Sequence, residues 1–149
     1  MPTLMGVLAT VGACALLTPH APAVLKATLV AGAVINPDGD GRPSPVVVHV
    51  FELASETEFA EAGFSALYED ADKTLGDALL ARHSVILQPA STKMISINLA
   101  PRTSAIGAVA GLARFANVTW RALARTAPGK SVAIRIVADA TGISIEADR

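Results

Sequence analysis

From Leu25 onward the chain is a succession of short β-branched runs separated by clusters of Pro, Gly, Asn and Asp, and this punctuation limits its fold more than any other feature. "LKATLVAGAVI" (Leu25–Ile35) reads as a strand, "NPDGDGRPSP" (Asn36–Pro45) breaks it with prolines at 37, 43 and 45, and "VVVHVFEL" (Val46–Leu53) is the next strand. Two further strands, Val85–Gln88 and Lys93–Leu99, flank Pro89 to Thr92. In the second, Met94, Ser96 and Asn98 alternate with Ile95, Ile97 and Leu99, one face inward and one outward. Ala105–Phe115 and Val118–Arg125 are strand candidates around Asn117. The alanines of Ala105–Arg114 also suit a helix, but Gly107 and Gly111 weaken that reading. "SVAIRIVAD" and "GISIEAD" flank Ala140 and Thr141 as a closing hairpin.

One segment changes period. In "SETEFAEAGFSALYED" (Ser55–Asp70), Ser55 as N-cap with Glu58 three residues on forms a capping box, and Phe59, Ala62 and Ala66 share a helical face. A single helix among short strands predicts an all-β fold with one added helix, built as a two-sheet antiparallel β-sandwich. The 149 residues, 52% apolar, suffice for one domain with its own core, placed at residues 25–149.

Composition removes several function classes. The formal net charge is -1 and the basic residues are spread from Lys26 to Arg149, so no positive field for nucleic acid is expected. One cysteine permits neither an internal disulfide nor a Cys-based zinc site. His20, His49 and His83 are far apart, and HExxH, GxSxG and phosphate-cradling glycine motifs do not occur, so no catalytic or metal set can be named and no enzyme is expected. His49 alternates with Val48 and Val50 and is expected on the opposite sheet face in a structural role. Tyr68 and Trp120 are expected to pack the helix on a sheet.

The N-terminus carries a different signal. Met1 to Leu25 holds no charged residue, and the apolar part Leu4–Leu17 is shorter than the ~20 residues that span a bilayer. A signal h-region fits this run better than a transmembrane helix. Val11-Gly12-Ala13-Cys14 resembles a lipobox: small residues let the backbone enter a protease site extended, and the Cys14 thiol accepts diacylglycerol. The expectation is a signal peptide over residues 1–13 and a lipidated Cys14 with its tether over residues 14–24, including the Pro-rich Thr18–Ala23. No other cofactor is expected beyond the diacylglycerol and N-acyl chain on Cys14. Met1–Ala13 lacks the lysine or arginine that opens a signal peptide, which points to an upstream start or a trimmed sequence. The competing reading makes Cys14 a buried core residue of an N-terminal helix in a cytosolic sandwich.

The ten residues Asn36, Pro37, Asp38, Gly39, Asp40, Gly41, Arg42, Pro43, Ser44 and Pro45 form the most distinctive loop. Three prolines leave it few conformations to lose on binding, so it suits a preorganised docking element, with Asp38, Asp40 and Arg42 setting partner choice by charge. It can also be an ordinary solvated turn. Asn36, Asp38, Asp40 and Gly41 match positions 1, 3, 5 and 6 of a calcium loop, but Val47 stands where the bidentate glutamate belongs, and strands flank it.

The order of "INPDGDGRPSPVVVHVFEL", "FSALYED", "TLGDALL" and "WRA", behind a lipobox, resembles the TssJ family of type VI secretion lipoproteins from about Ile35 to the C-terminus. The densest pieces are Asn36-Pro37, Arg42 to Pro45, Val46–Leu53, Leu67-Tyr68 and Trp120-Arg121. The resemblance implies a transthyretin-like sandwich with an added helix, lipid-anchored at the periplasmic face of the outer membrane within a larger membrane complex. Ala15 after the cysteine, where aspartate would favour the inner membrane, agrees with that location. The partner it implies is the periplasmic C-terminal domain of the inner-membrane protein TssM, docked through the loop between the first two strands, here Asn36 to Pro45. The alternative is a periplasmic transthyretin-like module that binds or hydrolyses a small ligand, which requires convergent polar residues in a sheet cleft.

Overall fold

The computed structural model describes residues 21–114 and 117–148; residues 1–20, and with them Cys14 and the proposed signal peptide, lie outside them. Strands β1 (Val24–Ala31), β2 (Val46–Leu53), β3 (Leu79–Leu87), β4 (Thr92–Asn98), β5 (Ala105–Ala110), β6 (Arg121–Arg125), β7 (Val132–Asp139) and β8 (Gly142–Ala147) form two four-stranded sheets. Their orders are β4-β1-β7-β8 and β3-β2-β5-β6. The sandwich expected from the turn spacing is therefore the fold observed.

The first sheet departs from the antiparallel expectation at one pair: β1 and β7 run parallel, Leu25 opposite Val132 and Ala31 opposite Ala138. All other neighbours are antiparallel. Alternation along a strand assigns its faces and is the same for either direction of its neighbour, so strands separated by the whole second sheet carry no local sign of their relative direction.

Between the sheets, Leu25, Ala27 and Leu29 of β1 and Ile134 and Ile136 of β7 pack on Val48 and Val50 of β2 and Ile106, Ala108 and Ala110 of β5. A second core forms on the far side of β2 and β5, where Phe51, Leu53 and Val109 meet Phe59, Leu67, Ala71 and Leu75 of the helical segment. All six residues of β5 are buried because the strand has a core on each face. This double burial is why its sequence runs continuously apolar instead of alternating.

The expected helix Ser55–Asp70 is divided. Helices α1 (Thr57–Glu61), α2 (Phe64–Glu69) and α3 (Ala71–Leu75) follow one another, closed by a 3₁₀ turn at Gly76–Ala78. The break falls at Ala62 and Gly63, both extended. Arg121 fixes it: one guanidinium nitrogen donates to the carbonyls of Phe59 (3.1 Å) and Ala62 (2.7 Å), which a continuing helix would use internally. Helices of five or six residues do not hold themselves together in water. Packing holds these, with Phe59 and Leu67 fully buried at about 1.5–3 kcal/mol each. The capping box expected at Ser55 does not form: α1 has Glu56 at its N-cap with no side-chain cap, and Ser55 Oγ instead donates to Glu58 Oε2 at 2.8 Å and accepts the Thr57 N–H at 3.3 Å.

The two long sides of the sandwich differ. On one, the Ile143 N–H donates to Thr119 O (2.7 Å) and the Thr119 N–H to Thr141 O (3.0 Å), stitching β8 to the approach to β6. On the other, β3 and β4 are the edges of separate sheets, joined by the turn Gln88 to Ser91.

Candidate functional site: the loop between β1 and β2

The loop Asn36–Pro45 is tied together from within. The Asn36 backbone sits at φ 44, in the left-handed region, where asparagine is among the few side chains tolerated. Its amide then uses both ends. Nδ2 donates to Ser44 Oγ (3.0 Å) and to the Pro45 carbonyl (2.9 Å), drawing the loop's two ends together. Oδ1 accepts the Ala113 N–H at 2.7 Å, fastening the loop to the connection between β5 and β6. Ser44 returns its hydroxyl proton to the Asn36 carbonyl, and the Ser44 N–H donates to Ile35 O at 3.1 Å.

The tip is a second closed unit. Asp38 Oδ1 accepts the N–H groups of Asp40 and Arg42, each at 2.9 Å, and Gly41 turns the chain at φ +78. Arg42 Nε donates to Asp38 Oδ2 at 3.0 Å, and Arg42 Nη2 pairs with Asp40 Oδ2 at 3.0 Å. The Arg42 N–H is the largest influence holding the Asp38 carboxyl below its ordinary 3.8, helped by the Asp40 N–H, the Arg42 guanidinium and the more distant Arg114. These carboxylates, which matched calcium positions in the sequence, therefore already have partners: backbone N–H groups and one guanidinium. Among the described residues no group of three metal-ligating side chains occurs.

The loop does not stand alone. Asn36 and Pro37 form one wall of a groove of about 200 Å³, with Leu112, Arg114 and Val118 on a second side and Asp139 and Ala140 on a third. Leu112 is buried and supplies an apolar floor, while Arg114 is exposed at the rim. Asp139 Oδ1 accepts both the N–H (2.7 Å) and the hydroxyl (2.6 Å) of Thr141, which holds its carboxyl below the usual 3.8. Sequence reading identified the loop but not this neighbourhood, since residues near 36, 112 and 140 meet only through the sheet order. The signal that could have found it is Asn36 itself, an asparagine directly before proline at a strand end.

Direction follows from β1. The chain enters that strand at Val24 and leaves it at Ala31 toward the loop, so eight residues, about 25 Å at strand rise, separate the Cys14-side end from the loop. At the Val24 end lie Leu99, whose N–H donates to Ala23 O at 2.7 Å, and Ser131, whose hydroxyl accepts the Val24 N–H at 2.9 Å.

The other singled-out residues lie in the helix-facing layer. His49 is half-buried on the sheet face opposite Val48 and Val50, its Nδ1 2.8 Å from Ser84 Oγ and its ring 4.6 Å from that of Tyr68. Tyr68 stacks on Phe64, and Phe64 meets Trp120 edge-on, so both large aromatics seat the helices on the sheet as expected.

Residues 23–141 match a family model described as type VI secretion lipoprotein, VasD, EvfM, TssJ, VC_A0113. Compared by sequence, the chain matches no curated protein. Its fold is similar to the crystal structure of the T6SS lipoprotein TssJ1 from Pseudomonas aeruginosa, with a TM-score of 0.82 and 27% identity over 87% of this chain and 98% of that one. It is similar to Serratia marcescens Lip, described as a membrane-bound component of the type VI secretion system, with a TM-score of 0.77 and 25% identity over 84% of this chain and 98% of that one. A fold likeness at 21% identity and a TM-score of 0.68 extends over 82% of this chain and 99% of a chain in a structure described as the TssM C-terminal domain (869-1107) from EAEC.

Proposed function

The chain belongs to the type VI secretion lipoprotein family, and from that premise we propose that it is a lipid-anchored subunit of the secretion membrane complex, fixed at Cys14 and docking the periplasmic C-terminal domain of TssM through Asn36–Pro45. The observation that carries this reading is the Asn36 clamp. A loop whose ends are tied by one amide and whose tip is closed by Asp38 and Arg42 has already lost most of its freedom before it meets a partner, so binding costs little ordering entropy.

The fold supports the division of labour. The anchor side leads into β1 at Val24 and the loop follows its far end at Ala31, so a tether to the outer membrane leaves the loop facing the periplasm. From Cys14 to Val24 the chain reaches at most ~34 Å when extended, enough to hold the domain beside the bilayer without burying the loop. Several acyl chains, at ~0.8 kcal/mol per buried CH₂, make such an anchor stable without help from the fold.

The test is a titration of the TssM periplasmic domain encoded with this protein against the wild-type chain and a variant with residues 36–45 replaced by a Gly/Ser linker. Loss of binding with an unchanged far-ultraviolet spectrum is the expected result; equal affinity would remove the docking assignment.

A further inference from the structure

Large apolar side chains are exposed at three described positions, Val34 (53%), Ile86 (53%) and Met94 (82%), and all flank one side of the sandwich. Ile86 lies on β3 and Met94 on β4. Val34 lies two residues past Gly32, whose carbonyl accepts the Ala90 N–H in the turn that joins those strands. Between Arg82 to Val85 and Ile95 to Ile97 opens a cleft of about 570 Å³. Val85, Ile95 and Ile97 pack on the main core yet stay only partly buried, so the core is unfinished along this side. His83, at the core-facing position opposite Val50, lines the same cleft, and its Nε2 is buried without a hydrogen-bond partner among the described residues. Burying such a group unpaired costs free energy, so an unmet imidazole nitrogen beside an open cleft marks a place where a partner atom is missing.

The backbone is open here as well. Among the described residues β3 pairs with β2 alone and β4 with β1 alone, which leaves one edge of each free, and β3 is nine residues long without a proline. Lys93 occupies the core-facing position opposite Leu29, a charge that strand addition to β4 would bury, so β4 is blunted and β3 is the available template. The cleft's lining holds one arginine, Arg82, and no aspartate or glutamate. Arg82 and Lys93 are the charges of the two edge strands, and both are exposed.

We propose that β3 accepts, by strand addition, an extended segment of another protein that is apolar at the residues turned into the cleft and acidic at those beside Arg82. Main-chain hydrogen bonds along Arg82 to Ile86 supply the affinity, and the alternate side chains supply the selection. A polar side chain at one inward position meets His83 Nε2. Charge argues against a second copy, because joining two β3 edges brings Arg82 and Lys93 of one chain toward those of the other. The protein's own tether is unsuited, because Pro19 and Pro22 lack the N–H a ladder needs and Thr18–Ala23 carries no acid. This surface is separate from the Asn36–Pro45 loop and does not depend on the docking reading.

The test is amide hydrogen exchange of the full chain with a synthetic peptide, Thr-Val-Asp-Ser-Thr-Val, whose serine falls on the inward face, at concentrations up to about 1 mM, the weak end of useful affinity. Expected is slowed exchange along Arg82 to Ile86, at least tenfold weaker binding to Arg82→Glu and to Ile86→Glu, and no binding of the same peptide with lysine for aspartate or proline at its centre. Both substitutions lie at exposed edge positions, and unchanged melting temperatures verify that they fold. No slowing along β3, or slowing that ignores the peptide's charge, overturns the proposal. Slowing along β3 without peptide that rises with protein concentration, together with dimer in sedimentation, overturns it in favour of a second copy.

Discussion

The Ala113 N–H donates to Asn36 Oδ1 at 2.7 Å, so the loop that leaves the first sheet is bolted to a connection of the second. The same side chain closes the loop's two ends, and its backbone holds a left-handed conformation.

Asn36→Gly and Asn36→Ala separate these roles. Glycine keeps the backbone conformation and loses the hydrogen bonds, which is expected to cost about 1–2 kcal/mol of stability. Alanine adds a left-handed strain of roughly 1 kcal/mol more. Both loosen the loop, so affinity for the TssM domain is expected to fall at least tenfold in each. Denaturant unfolding and titration of the two variants check the order.

The helical layer rests on a missing side chain. A Cβ at Gly107 would lie 2.6 Å from the Phe59 ring, which is 1% exposed and has no room to retreat. Gly107→Ala is therefore expected to destabilise by about 1–3 kcal/mol, and Phe59→Leu in the same chain to recover part of that loss. A double-mutant cycle by chemical denaturation measures the coupling, and strictly additive costs would contradict the contact.

Burial, with a smaller contribution from Arg82, holds the His49 imidazole below its ordinary 6.5. The folded chain then binds fewer protons at this ring than the unfolded one, so stability is complete above 6.5 and falls as pH drops through it. The carboxylates of Asp38, Asp139, Glu56 and Glu58 are likewise held low. Their contributions are present above the ordinary carboxylate range and vanish as pH falls below it. Melting temperatures between about pH 8 and pH 5 are expected to decline in the wild type and to be flatter in His49→Gln.

Cys14 lies outside the described residues, and its role is a proposal of the sequence. Expressed with its native upstream codons in a Gram-negative host, the wild type is expected in the membrane fraction at a mass lacking residues 1–13 and carrying acyl chains. Cys14→Ser is expected uncut and without them; an unmodified wild type would contradict the anchor.

The sandwich was legible because Met94, Ser96 and Asn98 alternate with Ile95 and Ile97, and because Pro and Gly cluster where strands end. The parallel β1 and β7 pair was not, since Leu25 and Val132 meet only after the chain has built the other sheet. The break at Gly63 was hidden for a related reason: Arg121, which stabilises the exposed carbonyls, arrives from a strand far along the chain. The sequence places this strand at Val85–Gln88, whereas pairing with β2 extends it back to Leu79 and ends it at Leu87. The loop was visible from its prolines, while its clamp on Ala113 and the groove beside it were products of tertiary structure.

The most direct test of the docking account places a photocrosslinking side chain at Gly39, where a Cβ meets nothing within 4 Å, or at exposed Ala127, beyond the opposite end of β1, in cells that carry the intact secretion system. The account predicts a crosslink to TssM from position 39 and none from position 127. A crosslink from 127 with silence at 39 would contradict it.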